Sequence, residues 1–174
     1  DLTQLESLKE DLLSASEIQQ YFLPRTFPPF PEDSDKMDIY ASMEAAKDVG
    51  GDFYDFFRID DDHIALVIAD VCGEGIPAAL FMGLSQTIIR SKASQFASAA
   101  ECLTEANRLL ATYSVEYMFV TVFYVIYNTK TGHITYCNAG HNPPHILRAN
   151  GTIEVLPRTK NVVVGAFENV KRSR

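Results

Sequence analysis

Residues 48–82 read DVGGDFYDFFRIDDDHIALVIADVCGEGIPAALFM, with a short acidic motif at the end of each of two apolar runs. The first motif is Gly50-Gly51-Asp52-Phe53-Tyr54-Asp55, and the second is Ala69-Asp70-Val71-Cys72-Gly73-Glu74-Gly75. Between them lies Ile59-Asp60-Asp61-Asp62-His63, a polar turn signal flanked by strand formers. The spacing predicts a hairpin, residues 53–59 against 63–71. Antiparallel pairing about that turn carries Asp52 and Asp70 to the same open end of the sheet. Two carboxylates there repel each other unless a cation or a proton sits between them. The flanking glycines permit close backbone approach. This pattern points to a hard-metal site made of oxygen ligands.

Upstream, residues 1–21 read as an amphipathic helix. Leu5, Leu8, Leu12, Ala15, Gln19 and Phe22 fall at alternating three- and four-residue steps, a heptad seam of about two and a half repeats. Such a seam suits a helix packed on its own domain or a linker that pairs with its twin in a homodimer through residues 2–22. Leu23-Pro24 ends the helix, and Pro28, Pro29 and Pro31 hold the next segment extended. Residues 37–46 alternate well enough for a strand. In the hairpin, residues 64–71 are nearly all apolar, as expected of a strand buried on both faces.

Downstream, Ile76-Pro77 opens a helix over 78–91, with Leu80, Phe81, Leu84, Ile88 and Ile89 inward. A second helix is expected over 98–113. Residues 119–127 form a Val-, Thr- and aromatic-rich strand. The turn Asn128-Thr129-Lys130-Thr131-Gly132 returns the chain through 133–139. A last hairpin, 145–148 against 152–156, turns around Ala149-Asn150-Gly151. Strands on both sides of two long helices make the fold class α+β.

A chain of 174 residues with 47 % apolar and 22 % charged residues suits one domain and an appendage. The net charge of −8 argues against nucleic acid or an anionic membrane as partner. No apolar run approaches the ~20 residues that span a bilayer, and no cleavable leader precedes the first helix. The three cysteines, Cys72, Cys102 and Cys137, are odd in number and lack CxxC spacing, so the reading is a reducing cytoplasm.

GGDFYD at 50–55, ADVCGEGIPAALFM at 69–82 and NAGHNPP at 138–144, in that order, resemble the metal-dependent PP2C-type serine/threonine phosphatases. Within them the chain is similar to the bacterial branch typified by SpoIIE and RsbU. The resemblance implies a PP2C-like β-sandwich flanked by helices over 24–174, preceded by a linker helix over 1–23. It also implies a C-terminally incomplete domain, because the family's later ligand-bearing motifs have no counterpart before Arg174.

By resemblance, Asp52 and Asp70 are the catalytic metal ligands, with the Val71 carbonyl as a further ligand. The cofactor would be Mn²⁺ or Mg²⁺, two ions in the complete domain. Asp55, three residues along the strand, points to the opposite face from Asp52 and is read as supporting. Gly51 and Gly73 are structural positions of the two motifs. His141, in a tight turn after a strand, is read as a structural or supporting residue and not as a general acid.

The resemblance further implies hydrolysis of phosphoserine or phosphothreonine on a small regulatory protein, such as a phosphorylated anti-sigma-factor antagonist. An upstream sensor domain would signal through the first helix. A rival reading is a catalytically silent, dimeric interaction module of the same fold. A nucleotide hydrolase is disfavoured, since neither GxxxxGK[ST] nor GxGxxG is present.

Overall fold

The computed structural model describes residues 2–45, 47–96, 98–113, 117–168 and 172. The acidic turn forms the hairpin expected of it. Strand β1 (Asp52–Arg58) pairs antiparallel with β2 (His63–Val71), Asp52 opposite Asp70 and Arg58 opposite Ile64. Asp60 makes the turn by accepting from the backbone N–H groups of Asp62 and His63, each at 2.9 Å.

Strand β3 (Val120–Asn128) pairs with the other edge of β2, and β4 (Ile134–Ala139) pairs with β3. The resulting sheet has the order β1-β2-β3-β4, all antiparallel. A separate two-stranded ribbon follows, β5 (His145–Leu147) with β6 (Ile153–Val155).

Side-chain alternation gives the sheet two unlike faces. Phe53, Ala65, Val67, Ala69, Val122, Tyr124 and Cys137 are buried on one face. They pack against α2 (Gly75–Ala93) and α3 (Ala99–Tyr113), which contribute Phe81, Met82, Ile89, Cys102, Leu103, Ala106 and Leu110 to one core. Helix α3 starts at Ser98, whose Oγ accepts from the Glu101 N–H at 3.1 Å, a side-chain cap. The class is α+β.

The first helix, α1 (Leu2–Phe22), meets the domain at its C-terminal end, where Gln19 is its one buried residue. Earlier seam positions stand in solvent, Leu5 at 63 % exposure. Among the described residues no helix is long and apolar enough to cross a membrane.

Three sequence expectations are corrected. The alternation over 37–46 does not make a strand: residues 37–45 run without a ladder partner, and Ala46 lies outside the described residues. Leu80 is 71 % exposed, not inward, because the buried stripe of α2 runs through Ala78, Phe81, Met82, Ser85, Ile88 and Ile89. Strand β2 is covered on both faces only at its start, where Ile64 is fully buried; toward its end Ile68, beside Asp70 on the face away from the helices, is 50 % exposed.

Candidate metal and catalytic site

The site begins where β1 does. Gly50 and Gly51 deliver the chain into β1, and the register sets Asp52 directly across from Asp70. Directly opposed residues project from the same face of a sheet, a few ångströms apart. Both carboxylates therefore stand at one rim, on the face away from the helices, and both are exposed. Partial burial first, then a hydrogen bond to Asp70 and the Asp70 charge, push the Asp52 carboxyl above the usual carboxylate range; His141 offsets part of this.

Gly51 has a specific reason to lack a side chain. A Cβ there would lie 2.9 Å from the Val71 Cβ and 3.0 Å from the Val71 carbonyl oxygen. The Val71 N–H in turn donates to the Gly51 carbonyl at 3.3 Å. The two motifs thus close on each other through backbone. After Val71 the chain turns into α2 through Gly73 and Gly75, at φ +88° and +71°, where a side chain would be strained.

Strand β3 brings a residue that sequence reading missed. Thr121 is the register partner of Asp70, and its Oγ1 lies 2.8 Å from His141 Nδ1. The His141 N–H donates to Asn138 Oδ1 at 2.8 Å, which pins the turn after β4. Burial holds His141 below its ordinary range, against the pull of the Asp52 charge. A cleft of about 490 Å³ brings Asp52, Asp70, His141 and Asn142 together under residues 40–44. Thr121 was legible only in retrospect, as a polar residue at the start of a strand otherwise rich in Val and aromatics.

Asp55 lies elsewhere. It is buried on the helix side of the sheet, where the Arg90 guanidinium of α2 donates to both of its carboxylate oxygens, from Nε to Oδ2 at 2.9 Å and from Nη2 to Oδ1. It braces α2 against β1 and stays out of the cleft. Glu74 is likewise outside the cleft lining and pairs with Lys47 at 2.7 Å.

Two carboxylates and a main-chain carbonyl are hard oxygen donors, which suit Mg²⁺ or Mn²⁺ and not a soft-ligand zinc site. Among the described residues no group of three or more His, Cys, Asp or Glu side chains is placed to hold a metal ion. The set therefore fits an ion that keeps several waters, as Mg²⁺ does with one or two protein carboxylates.

The architecture is that of PP2C-type phosphatase domains. The SiaA-PP2C domain of Pseudomonas aeruginosa matches it with a TM-score of 0.74, over 95 % of this chain and 65 % of that one, at 17 % identity, a likeness of fold. The family model for stage II sporulation protein E (SpoIIE) matches residues 60–174, and the chain belongs to that family. Protein IcfG of Synechocystis is 33 % identical over 91 % of this chain and 28 % of its own length. The phosphoserine phosphatase RsbU of Bacillus subtilis is 33 % identical over 79 % of this chain and 40 % of its own length. The chain thus spans well under half the length of these relatives.

Proposed function

We propose that this chain carries the metal-binding rim of a Mg²⁺- or Mn²⁺-dependent protein phosphatase that hydrolyses phosphoserine or phosphothreonine on a small regulatory protein. A phosphorylated anti-sigma-factor antagonist is the substrate of choice. The observation that carries this reading is the direct cross-strand pairing of Asp52 with Asp70. Membership of the SpoIIE family and the likeness to a phosphoserine phosphatase support it.

In phosphoryl transfer the protein has little covalent chemistry to perform; positioning and charge do most of the work. Left bare, the two carboxylates would repel a phosphomonoester, so this rim suits its substrate only with a cation between them. When bound, that cation supplies positive charge to the phosphoryl oxygens and lowers the pKa of water. Asp52, Asp70 and the Val71 carbonyl would hold it. Thr121 and Asn138 fix His141 at the edge of the same cleft, where its imidazole orients what enters. The standing leucines of α1 suit pairing with a second copy and coupling to an upstream sensor domain.

The test is Mn²⁺-dependent hydrolysis of p-nitrophenyl phosphate by the intact protein. Loss in Asp52→Asn and in Asp70→Asn is expected. Activity that survives either change overturns the assignment of the rim. The exposed leucines of α1 also favour a second reading, a silent dimeric interaction module. A dimer in sedimentation with no metal-dependent hydrolysis would decide for it.

A further inference from the structure

Beside the carboxylate cleft, and sharing His141 and Asn142 with it, lies a second hollow of about 310 Å³. Its walls are Asn138, Gly140, His141, Asn142, Arg158 and Thr159. They offer amides, an imidazole, a hydroxyl and one guanidinium, with no carboxylate, in a chain of net charge −8. Such a lining repels cations and invites an anion.

The floor is built and held. Thr159 Oγ1 donates to the Asn138 carbonyl at 2.6 Å, and Asn161 Nδ2 donates to Thr159 Oγ1 at 3.0 Å. Gly140, at φ +76°, lies so close to Val163 that a Cβ would meet its Cγ1 at 2.8 Å. Arg158 adds the one cationic side chain of the lining. Arg58, Arg90, Arg108 and Arg148 each pair with a carboxylate. Among the described residues Arg158, like Arg25 and Arg172, has none; it is exposed, and it is the one of these three that lines the hollow.

We propose that this hollow is a substrate subsite for the carboxylate of an Asp or Glu flanking the phosphorylated residue, with Arg158 as its cationic contact. The proposal rests on the phosphatase reading above. Consecutive Cα atoms of a peptide are about 3.8 Å apart. A chain crossing the shared His141 wall with its phosphoryl group in the first cleft therefore delivers a neighbouring side chain, one or two positions away, to the second. A guanidinium fork matches a planar carboxylate with paired hydrogen bonds, which a neutral side chain cannot supply. Arg158 thus selects among phosphopeptides, while the Asp52–Asp70 rim acts on the phosphoryl group common to all of them.

The experiment measures kcat/KM of the intact protein with Mn²⁺ on phosphoserine peptides carrying Glu, Gln or Lys at the flanking positions. The Glu peptide is expected to exceed the Gln peptide by about tenfold, the size of one charge-assisted contact. Arg158→Ala should bring that ratio near one, and Arg158→Glu should turn the preference toward Lys. Equal values for the three peptides, or a Glu-to-Gln ratio untouched in Arg158→Ala, overturn the subsite. Hydrolysis of p-nitrophenyl phosphate by the unsubstituted protein is read alongside. Its absence removes the phosphatase reading and the subsite together. Its presence with charge-blind peptide kinetics removes the subsite alone.

Discussion

Gln19, near the end of α1, grips the peptide of Gly50 at two points, two residues before Asp52. Its Nε2 donates to the Gly50 carbonyl at 2.6 Å, and its Oε1 accepts from the Gly50 N–H at 3.0 Å. The side chain is 5 % exposed, and Nε2 also lies 3.7 Å from Met82 Sδ. The N-terminal helix is therefore tied by one amide to the strand that presents Asp52. Gln19→Ala leaves these backbone groups without a partner, at a cost of about 1–3 kcal/mol in urea unfolding. Gln19→Glu should be worse, because a carboxylate would face the Gly50 carbonyl with no donor. Both variants should bind Mn²⁺ more weakly in calorimetry. Unchanged Mn²⁺ affinity in a destabilised Gln19→Ala would confine the clamp to stability.

Gly51→Ala tests how closely the two motifs must meet. The new methyl would stand 2.9 Å from the Val71 Cβ and 3.2 Å from the Ala78 Cβ, both on buried backbone that cannot swing away. Overpacking of this kind costs about 1–3 kcal/mol. The same methyl prises β1 from the Val71 carbonyl, so Mn²⁺ affinity should fall along with the unfolding midpoint. A variant with wild-type melting and wild-type Mn²⁺ affinity would show that the rim has slack.

The hairpin was legible because its turn and both flanking apolar runs are local, and a short loop leaves one register that matches them. What depended on distant partners was not. Residues 37–45 alternate like a strand, yet alternation reports two faces and says nothing of an edge to pair with. Leu80 fits the helical period, but the period does not mark where the buried stripe ends, and neighbouring Ile76 is half exposed too. Gln19 occupies a seam position in the heptad pattern, and only its contact with Gly50, 31 residues on, shows what its amide does. Thr121 faces Asp70 through a pairing that spans α2 and α3, so no local signal announces it.

The raised Asp52 pKa has a defined sign for stability. Desolvation and then Asp70 make the native chain hold this proton more tightly than the unfolded chain does. Its contribution is full below the ordinary value of 3.8 and is lost as pH rises through the native value. In EDTA, Asp52→Asn should therefore melt above the wild-type protein at neutral pH, with the gain vanishing as pH falls below that window. Added Mn²⁺ should reverse the order by stabilising the wild type alone. Melting curves with and without metal at several pH values check both signs. A variant less stable than the wild type in EDTA at neutral pH would mean that Asp52 is well satisfied without a cation.

On the other face of β1, the Asp55–Arg90 pair joins sheet to helix with unequal exposure. The Asp55 side chain is 2 % exposed and that of Arg90 47 %, with the guanidinium also 4.6 Å from the Phe57 ring centroid. Arg90→Ala strips the partner from a carboxylate that water hardly reaches. The cost of breaking a buried pair is about 3–5 kcal/mol, and solvent around Arg90 brings the expectation to roughly 2–3 kcal/mol. Asp55→Asn, which keeps acceptor and shape without a buried charge, should cost less. Asp55→Leu combined with Arg90→Leu should recover most of the Arg90→Ala loss, since no unpaired charge remains. A double-mutant cycle in urea measures the coupling directly. Losses that simply add would show that Arg90 holds α2 through its stacking on Phe57 and not through Asp55.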